Sequence, residues 1–160
     1  MRREIDFLGG ELELIERAID SLLRRSVTLG KAEALLRTIP GVGRVVAPAI
    51  LAEIPFISSF GRAREVAAFA GLTPGLQESG TSVRRRGRLT KEGSAALRAQ
   101  LYMAALNVVK RDNPLRRGYA QLVERGKPKM VALGATMHRI LRIAFGVLKH
   151  ETPFAETFAK

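Results

Sequence analysis

Cysteine and tryptophan are absent from this chain of 160 residues, and histidine and tyrosine occur only twice each. Without cysteine there is no disulfide, no thiolate nucleophile and no sulfur-ligated zinc. His138 and His150 stand apart, with no cysteine or tight carboxylate cluster beside either, so no metal site is expected within the chain. No apolar run approaches the ~18 residues of a membrane span. Glu4 and Asp6 follow Met1-Arg2-Arg3 too closely for a signal peptide, and a cytoplasmic chain away from any membrane is expected. Strand-like alternation is missing too, except for a short pairing within 81–89, so the expected fold class is all-α.

Acidic residues are scarce in one part of the chain only. Residues 1–30 hold five basic and six acidic side chains, which leaves 22 basic and nine acidic in 31–160, within an overall charge of +12. Such an excess is the electrostatic footprint of a nucleic-acid partner, and it belongs to the second part.

Ile5, Leu8, Leu12, Ile15, Ile19 and Leu22 recur at spacings of 3 and 4, a heptad seam flanked by charge. A stripe that narrow predicts a coiled-coil helix over 1–26, in cis or between chains, and hence a homo-oligomer; a lone amphipathic helix on the core is the other use of the pattern. Gly9-Gly10 weakens its start. Residues 26–31 read as a link stopped by Gly30, and 32–37 as a second helix. A compact helical domain is expected over 31–150 and a tail over 151–160.

Within that domain two apolar helical segments are joined by Ile39-Pro40-Gly41-Val42-Gly43. This resembles the helix-hairpin-helix motif of DNA-binding proteins. Glycine permits a tight turn, and the amides opening the second helix form an anion site that holds a backbone phosphate without reading sequence. Gly41, Gly43 and Arg44 are the candidate contacts; a hairpin that merely packs uses the same residues. A short helix over 62–70, carrying Val66, Ala67 and Phe69, is closed by Gly71. After Gly93 a longer helix places Leu97, Leu101, Ala104, Ala105 and Val108 on one face, and stops at Asp112-Asn113-Pro114. A shorter helix over 115–124 follows, with Tyr119 and Leu122 in the core. Pro128 opens the last helix, whose apolar face is Met130, Leu133, Met137, Ile140, Ala144, Val147 and Leu148.

Between these elements lies Gln77-Glu78-Ser79-Gly80-Thr81-Ser82-Val83-Arg84-Arg85-Arg86-Gly87-Arg88-Leu89-Thr90-Lys91. A solvated turn is the ordinary use of such residues. The chemical use is a small hydroxyl presented to a phosphodiester. Arg84, Arg85, Arg86, Arg88 and Lys91 would hold the phosphate and offset charge growing on its oxygens. Serine needs a base, a metal or strong positive potential to become a nucleophile, and Glu78 is the one carboxylate in the stretch. Ser82 is the rival nucleophile; Ser94 reads as a helix start.

Taken in order, several segments resemble one family. They are Leu35-Leu36-x-x-Ile39-Pro40-Gly41-Val42-Gly43, Ala67-Ala68-Phe69-Ala70-Gly71-Leu72-x-Pro74, Glu78-Ser79-Gly80, Leu97-Arg98-x-x-Leu101-Tyr102-Met103-Ala104-Ala105, Asn113-Pro114 and Gly126-Lys127-Pro128-Lys129-x-x-x-Leu133. Together they are similar to the C-terminal domain of DEDD-type, serine-containing insertion-sequence transposases guided by a bridge RNA, relatives of the Piv-type DNA invertases. The resemblance runs from about residue 35 to 148. It implies that Ser79, by match, is the nucleophile that forms a covalent link to DNA. It implies DNA and a structured guide RNA as partners, a coiled coil that mediates oligomerisation, and a RuvC-like domain whose four acidic residues hold divalent metal (Mg2+). No residue here matches that acidic tetrad, so no cofactor is expected in this chain and no cleavage by the chain alone. Two other functions use the same features: a non-enzymatic helix-hairpin-helix nucleic-acid-binding module, and a coiled-coil assembly domain with an incidental basic face.

Overall fold

A computed structural model of the chain describes residues 1–73, 89–90 and 92–155. Among them the regular structure is helical: α1 (Arg2–Arg25), α2 (Val27–Leu36), α3 (Val46–Glu53), a 3-10 turn at Ile57–Ser59, α4 (Ala63–Phe69), α5 (Ala95–Lys110), α6 (Pro114–Glu124) and α7 (Lys129–His150). The expected all-α class is what the chain adopts. The pairing expected within 81–89 lies, apart from Leu89, outside the described residues.

The core is built around α7, which packs against α2, α4, α5, α6 and the 3-10 turn. Leu133, Met137, Ile140, Ala144 and Val147 are buried along it, together with Leu141, Ile143 and Phe145. By length and composition α7 is the one described helix apolar enough to cross a membrane, but most of that surface is used as core. Thr136, the one buried polar residue described, donates to the Ala132 carbonyl at 2.9 Å and so leaves no buried donor unpaired. Met130 was expected on this face and is 65% exposed. It stands in the first turn of α7.

In α5 the expected face of Leu97, Leu101, Ala104, Ala105 and Val108 is buried throughout. Ser94 caps it by accepting from the Leu97 amide at 3.1 Å. Asn113 shapes the corner into α6. Its Oδ1 accepts from the Leu115 and Arg116 amides, and its Nδ2 donates to the carbonyls of Val108 and Arg111. In α4, Val66 and Ala67 are buried, whereas Phe69, expected with them, is 52% exposed and meets the Phe60 ring edge-on. The α7 end is tied to the entry of α4 by Lys149, which donates to the carbonyls of Phe60 and Gly61 and lies over the Phe145 ring.

The link expected over 26–31 is a single residue. Ser26 adopts extended backbone, accepts from the Leu29 amide and starts α2 directly, while Gly30 lies inside α2. Glycine suits that point because a side chain there would meet the Leu23 carbonyl of α1. The helix α1 therefore folds back onto α2, and its register continues unbroken through Gly9 and Gly10. It buries none of its own residues: Ile5, Leu8, Leu12, Ile15, Ile19 and Leu22 all remain exposed. At the other end, Phe154 packs against the core and its amide donates to Thr38 Oγ1 at 2.8 Å, just ahead of the α2–α3 turn.

Candidate nucleic-acid interface

The α2–α3 turn is pinned from below. Ile39 and Val42 are buried, and the Val42 amide closes a tight turn on the Ile39 carbonyl at 3.0 Å. Gly41 has a φ of +85°, and a Cβ there would stand 2.5 Å from the Ala104 carbonyl oxygen and 2.7 Å from Val108 Cγ2 on α5. Both the backbone sign and the close approach demand glycine. Gly43 is different: a Cβ there would meet nothing within 4 Å. The helix α3 begins with no side-chain cap. The amides of Gly43, Arg44, Val45 and Val46 find no acceptor among the described residues. Pro48 is its third residue and leaves one gap in the first turn, between the bonds from Ala47 to the Gly43 carbonyl and from Ala49 to the Val45 carbonyl.

Beside this turn lies a polar cavity of about 450 Å³, lined by residues 37–43 on one side and by Asn107, Arg111, Asp112 and Asn113 on the other. Two arginines line it. Arg37, the C-cap of α2, keeps only a 3.4 Å contact with Glu33. Arg111, the C-cap of α5, is exposed and forms no ion pair among the described residues. Of the sequence-derived contacts, Gly41 and Gly43 line this cavity. Arg44 does not: it is ion-paired with Asp20 of α1 and lines a second cavity, of about 500 Å³, between α1 and α3. That second cavity is mainly apolar, with Leu12, Ile15, Ile19 and Leu22 facing Val45, Pro48, Ala49 and Ala52.

Ser79, Ser82, Arg84, Arg85, Arg86, Arg88 and Lys91 lie outside the described residues. The chain on either side of them is described, and it is tightly drawn together. Thr90 donates to the Thr73 carbonyl at 3.0 Å. A side chain at Gly71 (φ +66°) would collide with the Glu92 backbone, and one at Gly93 (φ +124°) with the Phe69 carbonyl. Arg98 donates to the carbonyls of both Ala70 and Gly93, at 3.4 and 2.9 Å. Leu89 packs against the core. The described residues on either side of the Ser79 stretch thus meet in one closed neck on the body.

Arg37 and Arg111 were not singled out from the sequence. Arg37 stands two residues before Ile39-Pro40 and is readable in principle as part of the motif; Arg111 arrives only through the packing of α5 on the turn. His138, half-buried on α7, has its pKa held below the usual histidine value by burial first and by the Arg142 charge second. Among the described residues no three His, Asp or Glu side chains are grouped to hold a metal ion.

Residues 33–121 match the family described as "Transposase IS116/IS110/IS902 family". The chain is 31% identical over 141 residues to the pilin gene-inverting protein of Moraxella bovis, with 88% of the chain and 44% of that protein covered. It is 29% identical over 143 residues to the putative transposase y4pF/y4sB of Sinorhizobium fredii, covering 86% of the chain and 36% of the relative. A probable family 20 transposase of Pseudomonas aeruginosa aligns at 26% over 155 residues, covering 95% and 44%. The chain therefore spans less than half the length of these relatives.

Proposed function

This chain belongs to the IS116/IS110/IS902 transposase family, and from that premise we propose that it is a DNA-binding, catalytic domain of a transposase or site-specific recombinase. The observation that carries the reading is the extent of the family match. It runs through the α2–α3 turn, the neck and the Ser79 stretch to α6, so the α2–α3 turn and Ser79 fall within one family unit. Relatives named as gene-inverting proteins support rearrangement of DNA as the reaction.

In this reading the Ser79 Oγ attacks a backbone phosphorus. A phosphoserine ester forms, one sugar–phosphate bond breaks, and the departing sugar oxygen takes up a proton. One phosphodiester replaces another, so the exchange needs no external energy source and reverses when the sugar hydroxyl attacks in turn. Arg84, Arg85, Arg86, Arg88 and Lys91 offset the charge on the phosphoryl oxygens. A divalent metal, held by acidic residues of a RuvC-like domain outside these 160 residues, would supply Lewis-acid stabilisation. The chain by itself is accordingly expected to bind DNA and not to cut it. The exposed seam of α1 is assigned to a homo-oligomeric coiled coil, a structured guide RNA is the second partner, and the cytoplasm is the place of work.

The test is Ser79→Ala in a recombination assay with the RuvC-like domain present. Loss of recombination with DNA binding retained supports the nucleophile. Unchanged recombination removes it and leaves a non-enzymatic nucleic-acid-binding module.

A further inference from the structure

The cavity beside the α2–α3 turn has the chemistry of an anion site built from two distant parts of the chain. Arg37 comes from the end of α2 and Arg111 from the end of α5, and they line one polar space of about 450 Å³ together with Asn107. Two other polar side chains around it are already engaged. Thr38 Oγ1 donates to the Leu35 carbonyl and accepts from Phe154, and Asn113 is spent on the α5–α6 corner. By holding the Arg111 carbonyl, Asn113 fixes where that arginine leaves the helix. The one acidic group in the lining is Asp112, against the two arginines, while Glu33 touches Arg37 from outside it at 3.4 Å. Gly43 leaves its backbone uncovered on this side. Arg116 follows within one turn of the corner and continues the positive charge along α6.

Resting on the reading of this turn as a nucleic-acid contact, we propose that the cavity is a backbone-phosphate cradle for duplex DNA, in which Arg37 and Arg111, and not Arg44, supply the cations. Paired guanidinium forks match phosphate oxygens in geometry as well as charge. The cradle touches no base, so it sets the position of the duplex on the body and contributes nothing to sequence choice. Arg44 serves the fold instead, holding α1 to the start of α3 through Asp20.

The experiment is fluorescence anisotropy of a labelled duplex titrated with the full chain across salt, for the unaltered protein and for Arg37→Gln, Arg111→Gln, the double variant and Arg44→Gln. Unaltered protein should show a steep log–log loss of affinity with salt. Each cradle arginine removed should lower that slope by about 1 and weaken binding roughly tenfold at fixed salt, equally for unrelated duplex sequences. Arg44→Gln should leave affinity within about twofold. Since both cradle arginines are surface residues, unchanged melting by circular dichroism accompanies the expected result. Steep binding by the unaltered chain with an unchanged slope in the double variant overturns the cradle while leaving the functional reading intact. So does a loss confined to Arg44→Gln, or one seen with an RNA hairpin but not with the duplex. Absence of any salt-dependent binding by the unaltered chain removes the cradle and the reading beneath it together.

Discussion

Two glycines two positions apart in the α2–α3 turn carry different loads. Gly41 needs a positive φ and the absence of a side chain against Ala104 and Val108; Gly43 faces open space. Gly41→Ala should therefore destabilise the protein by about 2–4 kcal/mol, from left-handed strain plus overpacking. Gly43→Ala should change stability by less than about 0.5 kcal/mol, both read from urea unfolding. Both were legible as turn glycines in Ile39-Pro40-Gly41-Val42-Gly43. What could not be read is which of them packs, because the answer lies on α5, more than sixty residues away. The same limit applies to Arg111, whereas the pairing of Arg44 with Asp20 was hidden by the fold-back of α1. His138 supplies a second residue-scale test. Its folded pKa lies below the unfolded value of 6.5, so the unfolded state binds the proton more readily. The stability it contributes is present above that value and falls as pH drops through the folded pKa. Chemical denaturation between neutral pH and about pH 5 should show that loss, and His138→Gln should reduce it.

Helical periodicity was enough to place α5 and α7, because each keeps one apolar face over four turns or more and that face alone decides the packing. It misplaced Met130 and Phe69, which sit in the first turn of α7 and at the last residue of α4 and are exposed. The break after α1 was read as a six-residue link because Gly30 looked like a stop. A single capping serine performs the turn instead, and the glycine is consumed in close packing of two helices. The heptad seam of α1 was legible, and it remains uncovered within one chain. If it is the oligomer contact, Leu12→Asp with Ile15→Asp should convert an assembled protein to monomer in sedimentation velocity. The unfolding free energy of the body should move by no more than about 0.5 kcal/mol, since α1 buries no residue of its own. An assembly that survives both substitutions would place the contact elsewhere.

At the scale of the molecule, a strongly basic body is organised around α7, with the α2–α3 turn on one part of the surface and a closed neck formed by the described residues on either side of the Ser79 stretch. Two glycines of positive φ, Arg98 and the Thr90–Thr73 hydrogen bond all act on that neck. The neck was only half legible: Gly71 was read as a helix stop, and its meeting with Glu92 needs both ends of the stretch in place. The most direct measurement of the central claim is mass spectrometry of the protein trapped with DNA and the RuvC-like domain, digested and searched for a nucleotide-bearing serine. The account predicts a phosphodiester-linked nucleotide on Ser79 that disappears in Ser79→Ala. A nucleotide on Ser82, or efficient recombination with no protein-linked DNA at any stage, would contradict it.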